Sequence, residues 1–360
     1  MTEHAKELWR LIRRRSCRTA VTFSALVLLT ACRHGTAPAP AASTSTPAST
    51  VDAGSCAARE PGTWYNEGVA YQEGSGVVKD EARAAALYQK ACDGGVAESC
   101  SNLGVLLEHG RGVVRDEARA AVLYGQACDA GNGNACSNLG YLRQEGRGIA
   151  QSATEAARLY EKACDLGSAV GCANLGAFHE EGRVVAKDDQ RAVTLFQRGC
   201  DGGVAAACAN LGRMYETGRG VALDEDHAAA LYQRACAGGN AIACNNVGAI
   251  AAKNDAGSTD GRTVDLFGKG CDAGDAVSCS NLGIAYHLGR GVPIDEARAA
   301  SLFQKACDAG DAMGCAQLAD SYESGRGVTR DLVKAGDLYR RACQSGVGQA
   351  CEWAQRMEAR

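Results

Sequence analysis

One unit of 36 residues, written again and again, constrains this chain more than any other feature. Residues 97–132 (AESCSNLGVLLEHGRGVVRDEARAAVLYGQACDAGN) hold Cys100, an N-L-G, a G-R-G-V, Asp116, an A-x-x-L-Y and Cys128. A shift of 36 positions returns the same grammar, and beyond about residue 60 the chain contains little else. Self-similarity at such a period marks an array of stacked supersecondary units, each burying its apolar face against the next. A length of 360 residues, enough for two or three ordinary domains, therefore reads as one array.

Aligned on N-L-G and on cysteine, hairpins begin near 61, 97, 133, 169, 205, 241, 276 and 312, and a half unit begins near 347. The first helix of each carries apolar residues at three- and four-residue spacing, which is a helical period. Leu103, Leu139, Leu175, Leu211, Val247, Leu282 and Leu318 are its expected core residues, mostly followed by a Gly that admits the partner helix closely. A G-x-G turn follows, as in Gly110–Gly112, because Gly ends a helix in the left-handed region at no steric cost. Asp80, Asp116, Asp188, Asp295 and Asp331 stand where a second helix needs an N-cap. That helix carries Ala and a Leu-Tyr or Leu-Phe pair, then ends at Cys. High Gly (45), low Pro (5) and sparse aromatics suit short helices with many turns, so the expected class is all-α, an α/α solenoid of eight repeats over 61–358 plus a C-terminal half-repeat helix. Two hairpins depart: the one at 169 lacks its second turn Gly, and the one at 241 has AAKNDAGSTDG in place of the turn. A local irregularity is expected at 252–262.

Residues 1–31 read as an export signal, with Arg10, Arg13, Arg14, Arg15 and Arg18 ahead of the apolar run TAVTFSALVLLTA, which is too short to span a bilayer. It ends in Leu29-Thr30-Ala31-Cys32, which looks like a bacterial lipobox with Cys32 as the lipidated residue. Residues 32–60 are rich in Ala, Pro, Ser and Thr and form a tether, since they cannot bury enough surface to offset their ordering entropy. The implied location is the bacterial cell envelope, periplasm or outer membrane, held by a lipid anchor. Net charge is −4 with no basic patch, which argues against a nucleic-acid partner.

Sixteen of the nineteen cysteines form eight C-x7-C pairs: Cys92 and Cys100, Cys128 and Cys136, Cys164 and Cys172, Cys200 and Cys208, Cys236 and Cys244, Cys271 and Cys279, Cys307 and Cys315, Cys343 and Cys351. Either each short loop closes, or each hairpin closes on itself, as Cys100 with Cys128. The first scheme pairs all sixteen and the second strands Cys92 and Cys351, so we take the first. Disulfides need an oxidising compartment, as the export signal also implies. No regular His accompanies the pairs and the spacing is wrong for zinc, so no metal and no cofactor are expected. Cys56 keeps the repeat phase, but its partner position is Trp64.

The grammar A-x-x-C-x-N-L-G-x-x-Y-x-x-G-x-G-V-x-x-D-x-x-x-A-x-x-L-Y-x-x-A-C resembles the Sel-like repeat family, and with the C-x7-C pairs the Helicobacter cysteine-rich proteins. The resemblance implies a solenoid related to tetratricopeptide repeats, with first helices lining a concave face, and an adaptor or extracellular interaction role. Some cysteine-rich relatives are described as binding or hydrolysing β-lactams, so a β-lactamase is the alternative function. The chain contains no S-x-x-K, S-D-N or K-T-G, the elements a serine β-lactamase uses. Its six His (His4, His34, His109, His179, His227, His287) do not cluster in sequence, and the helix-end ones read as exposed polar residues.

A ladder of amides stands out instead. Asn66, Asn102, Asn138, Asn174, Asn210, Asn246 and Asn281 share one phase of the first helix, with Gln317 in the eighth. Asn is a poor mid-helix residue, so a specific contact must favour it. Either each side chain fixes the stacking, or the row offers donors and acceptors to a bound peptide backbone; the two roles can coexist. Val105, Tyr141, Arg213, Asp320 and the acids Glu108, Glu145, Glu180, Glu181, Glu216 and Glu323 are expected on the same face, the acids as a solvated rim. The reading is a scaffold that binds a peptide or protein through that face.

Overall fold

Thirteen-residue helices separated by glycine turns recur along the chain with little variation. The computed structural model describes residues 60–182, 184–254 and 261–358; the signal, Cys32, the tether up to residue 59 and Cys56 lie outside the described residues. Among those described there are seventeen helices and no strand: α1 Pro61–Glu73, α2 Glu81–Asp93, α3 Ala97–His109, α4 Glu117–Asp129, α5 Gly133–Glu145, α6 Ala153–Asp165, α7 Ala169–Glu181, α8 Asp189–Asp201, α9 Ala205–Thr217, α10 Glu225–Ala237, α11 Ala241–Asn254, α12 Gly261–Asp272, α13 Ala276–Leu288, α14 Glu296–Asp308, α15 Ala312–Ser324, α16 Leu332–Gln344 and α17 Gly348–Glu358. They form an α/α solenoid of stacked hairpins, in two contact units divided between Asp188 and Asp189. Within each unit the first helix lies against its own second helix and the second against the next first helix, while successive first helices also touch.

The capping residues act as the sequence implies. Asp80, Asp116, Asp295 and Asp331 accept from the backbone N–H three residues on, and Asp224 and Ser152, which were not singled out, do the same for α10 and α6. At 241 the expected irregularity appears as a 14-residue α11 followed by a 12-residue α12, with 255–260 outside the described residues.

The core is built from Ala and one ring per hairpin. Tyr88, Tyr124, Tyr160, Tyr232, Tyr339, Phe196 and Phe303 are fully buried. The Gly of N-L-G is the seat of that ring: a Cβ on Gly104 would lie 2.6 Å from Tyr124 Cε1, and one on Gly140 2.8 Å from Tyr160 Cε1. Leu103, Leu175, Leu211, Val247, Leu282 and Leu318 are buried as expected, but Leu139 is only half-buried, because the residue facing it on α4 is Gly125.

Three devices join one hairpin to the next. The first is the set of disulfides, which follows the short-loop scheme throughout. Cys92 is bonded to Cys100, Cys128 to Cys136, Cys164 to Cys172 and Cys200 to Cys208. Cys236 is bonded to Cys244, Cys271 to Cys279, Cys307 to Cys315 and Cys343 to Cys351. Each bridge, with a Cα–Cα distance of 4.5–4.8 Å, links the end of a second helix to the start of the next first helix. Cations in the last turn of a second helix are the second device, reaching the carbonyl of the previous terminal Cys. Lys305 Nζ donates to Cys271 O at 2.9 Å and Arg341 Nη2 to Cys307 O at 2.6 Å. Such bonds satisfy carbonyls that a helix end leaves unpaired. The third device is the G-R-G turn. The Arg111 guanidinium donates to Glu81 (Nε–Oε1 3.1 Å), that of Arg147 to Glu117 (2.9 Å) and that of Arg219 to Asp189 (2.8 Å), each acid being the first residue of the preceding second helix. These guanidiniums, with Arg115 foremost for Glu117, hold the carboxyls of Glu81 and Glu117 below the ordinary carboxylate range.

Candidate functional site

The first-helix surface is set by helical spacing. On α3, Glu98 and His109 are exposed and Asn102 and Val105 half-buried, so these four form the solvent stripe of that helix. The Asn phase therefore lies on the accessible face, between the disulfide end and the turn end. Asn66 is exposed, Asn102, Asn174, Asn210, Asn246 and Asn281 are half-buried, and Asn138 is buried at 6 % exposure.

Part of the row has a structural partner. Tyr124 Oη donates to Glu108 Oε2 at 2.8 Å, and the amide of Asn138, from the next hairpin, approaches the same hydroxyl. Arg147 Nη1 completes the chain by donating to Glu108 Oε1 at 3.0 Å. Tyr232 repeats it, donating to Glu216 Oε2 at 2.7 Å and approached by Asn246. Burial pushes the ionisation of both tyrosines up, beyond any physiological pH, so each remains a donor. Asn138 and Asn246 thus lie against the tyrosine of the preceding hairpin.

The other residues of the row cannot all be explained that way. The ring preceding Asn210 is Phe196 and the ring preceding Asn281 is Phe267, neither of which has a hydroxyl. Asn281 Nδ2 donates instead to Asn245 Oδ1 at 2.8 Å. An amide has two donors and an acceptor, and one bond to a tyrosine leaves most of that capacity for a ligand.

The acids divide. Glu145 and Glu181 are exposed, but Glu108 is only 2 % exposed, and Glu216 and Glu323 accept from Tyr232 and Tyr339, so these three belong to the stack rather than to a solvated rim. Asp320 is ion-paired with Arg326, Tyr141 lies beneath Arg147, and Val105 and Arg213 are half-buried on the face. His287 is not an exposed polar residue either: its Nδ1 meets Glu296 Oε2 at 2.8 Å and its side chain is 13 % exposed. The arginine of the G-R-G turn was missed altogether; the signal was available, since Arg111, Arg147 and Arg219 each follow an acid by 30 residues. Among the described residues no group of His, Cys, Asp or Glu is placed to hold a metal ion.

Fold and surface together define a disulfide-stapled helical-repeat scaffold with a periodic polar stripe. The chain belongs to the Sel1 repeat family, whose model matches residues 65–96, 97–132, 133–168, 169–204, 205–240, 276–311 and 312–347. The unmatched stretch is the hairpin with the replaced turn. Among solved structures, the chain is similar to a Sel1 repeat protein from Oxalobacter formigenes (24 % identity, 83 % of this chain and 88 % of that one, TM-score 0.58). It is also similar to a protective antigen of uropathogenic Escherichia coli with an SLR fold (24 %, 83 % and 80 %, 0.49) and to Helicobacter pylori cysteine rich protein B (29 %, 36 % and 93 %, 0.31). No curated protein matches the chain. Eight disulfides point to an oxidising, non-cytoplasmic compartment, and no helix among the described residues is long and apolar enough to cross a membrane.

Proposed function

We propose that this Sel1-repeat scaffold is exported, anchored by a lipid on Cys32, and binds a peptide or protein through the concave face of its first helices, with Asn66, Asn102, Asn138, Asn174, Asn210, Asn246 and Asn281 as the backbone-reading row. One observation carries the reading: Asn persists at 210, where Phe196 stands in place of the tyrosine that Asn138 and Asn246 approach, whereas Asn281 has a structural partner of its own in Asn245. A side chain kept only for that tyrosine has no reason to remain at 210. The β-lactamase alternative has no such support, since the chain lacks S-x-x-K, S-D-N and K-T-G.

The test compares the two kinds of asparagine. Peptides selected from a random library on the purified protein are titrated against Asn210→Ala and against a double variant, Asn138→Ala with Asn246→Ala. The first should lose binding tenfold or more, on the order of 1.4 kcal/mol, with an unchanged melting temperature; the second should lose both binding and stability. Undiminished peptide affinity in Asn210→Ala would sink the proposal. Export and anchoring are checked by labelling with a radioactive fatty acid, which Cys32→Ser should abolish.

A further inference from the structure

Four first helices carry a tyrosine at one phase, and the third residue of the following second helix covers it. Arg83 Cζ lies 4.7 Å from the Tyr71 ring centroid, Arg298 Cζ 4.4 Å from Tyr286 and Lys334 Nζ 5.2 Å from Tyr322, while the His227 ring lies 4.3 Å from that of Tyr215. A cation over a ring face is attracted by the ring quadrupole, and guanidinium also stacks on it. The Tyr322 side chain and Val328 pack against a cluster that includes Ala300 and Leu318, so the preceding second helix, the ring's own helix and the turn all contribute to the surroundings of the slot.

The hairpin α3–α4 has kept the cation and lost the ring. Arg119 stands in the covering position, but the tyrosine phase holds Leu107, which lies down in the core at 3 % exposure. Arg119 Nη2 reaches sideways to Gln89 Oε1 at 2.6 Å. Where the ring lies in the other hairpins, a groove of about 420 Å³ opens here, lined by Ala85, Leu103 and Val113, with Ala82, Val114 and Arg119 at its mouth. The first three are the counterparts of Ala300, Leu318 and Val328. Val114 is 88 % exposed, as is its counterpart Val78 in the preceding turn. The other hairpins without the tyrosine differ: Arg143 holds that phase in α5 and donates to Ala150 O at 3.0 Å, with the acid Glu155 in the covering position, His179 has replaced the ring in α7, and the turn after Ala251 lies outside the described residues.

We propose that this groove is a binding site for a single aromatic side chain carried by a partner polypeptide. The ring enters past Val114, lies against Ala85 and Val113, and takes the Arg119 guanidinium on its face, reproducing in trans the contact that Tyr71, Tyr286 and Tyr322 make within the chain. The site lies between a second helix and a turn, apart from the asparagine row, and does not depend on that row's function.

The test is a titration of the full chain with ¹³C-labelled Leu and Val methyl groups, followed by NMR. The probes are the capped tripeptides Gly-Tyr-Gly and Gly-Leu-Gly, and p-cresol. The tyrosyl peptide should move the Leu107, Val113 and Val114 methyls upfield by ring current and saturate in the millimolar range, on the order expected for one buried ring; the leucyl peptide should not. Leu107→Tyr, which supplies the ring in cis, should abolish the response, and Ala82→Leu, which narrows the mouth from an exposed position, should do the same without touching the core. Arg119→Gln should weaken binding about two- to fivefold. No ring-current shift at tens of millimolar, an equal response to the leucyl peptide, or an undiminished response in both Leu107→Tyr and Ala82→Leu would overturn the proposal. So would a response to p-cresol without one to the tyrosyl peptide, which would make the groove a small-molecule site.

Discussion

Gly76 and Gly112 hold the same place in the turn and nearly the same φ, +74° and +69°, yet they do different things. Nothing lies within 4 Å of a Cβ built on Gly76, whereas one on Gly112 would come 2.3 Å from the backbone carbon of Glu81. Gly112 therefore also serves as a contact surface, flat against the first turn of the preceding second helix, and it aims Arg111 at Glu81. Gly76→Ala should cost about 1–2 kcal/mol of left-handed strain. Gly112→Ala should cost about 1–3 kcal/mol more, since the neighbour it meets is backbone and cannot turn aside. Urea denaturation of the two variants measures the difference; equal losses would mean that the turn does not bear on the seam. At this scale the sequence was only partly informative. G-x-G announced a turn, because a left-handed residue is a local requirement. Its contact with Glu81 is made across 30 residues, and no local pattern predicts it. The same holds for Glu108, whose burial depends on Tyr124 from the next helix and Arg147 from the turn after the one following.

Helices were far more legible than contacts. The starts at 61, 97, 133, 169, 205, 241, 276 and 312 coincide with the first residues of α1, α3, α5, α7, α9, α11, α13 and α15, because caps and glycines are local and recur eight times. The disulfide scheme was legible too, from counting. It has an energetic meaning at the level of elements: each bridge ties a second helix to the next first helix and leaves the hairpin itself uncrosslinked. The double variant Cys128→Ala with Cys136→Ala should therefore lose about 2–3 kcal/mol, concentrated at the α4–α5 seam. Cys128 and Cys136 are at most 1 % exposed, so alanine avoids leaving a buried polar group there. Hydrogen exchange should quicken across 129–136 and the first turn of α5, while the α3–α4 pairing keeps its protection. Faster exchange throughout α3 instead would show that the bridge supports the hairpin and not the seam.

In a quasi-one-dimensional array each hairpin is stabilised by its neighbours. For the hairpin α15–α16 one such neighbour is α17, which covers its face. Trp353 is 5 % exposed and lies 5.3 Å from the Tyr339 ring, among Ala316, Ala335 and Ala350, while Glu352, Gln355 and Arg356 face solvent. One apolar side and one charged side on a single helix let it cover the apolar face of that hairpin while meeting solvent on the other. Trp353→Ala removes the largest side chain of that covering layer, a loss of about 3–5 kcal/mol when the cavity does not collapse. Because coupling runs only between adjacent repeats, the loss should surface as fraying. Amides of α15, α16 and α17 should exchange faster and a low-temperature shoulder should appear in the melting curve, while residues 60–188 keep their protection. A single cooperative transition moved bodily to lower temperature, with protection lost equally in 60–188, would contradict nearest-neighbour coupling and assign α17 a role in holding the whole array.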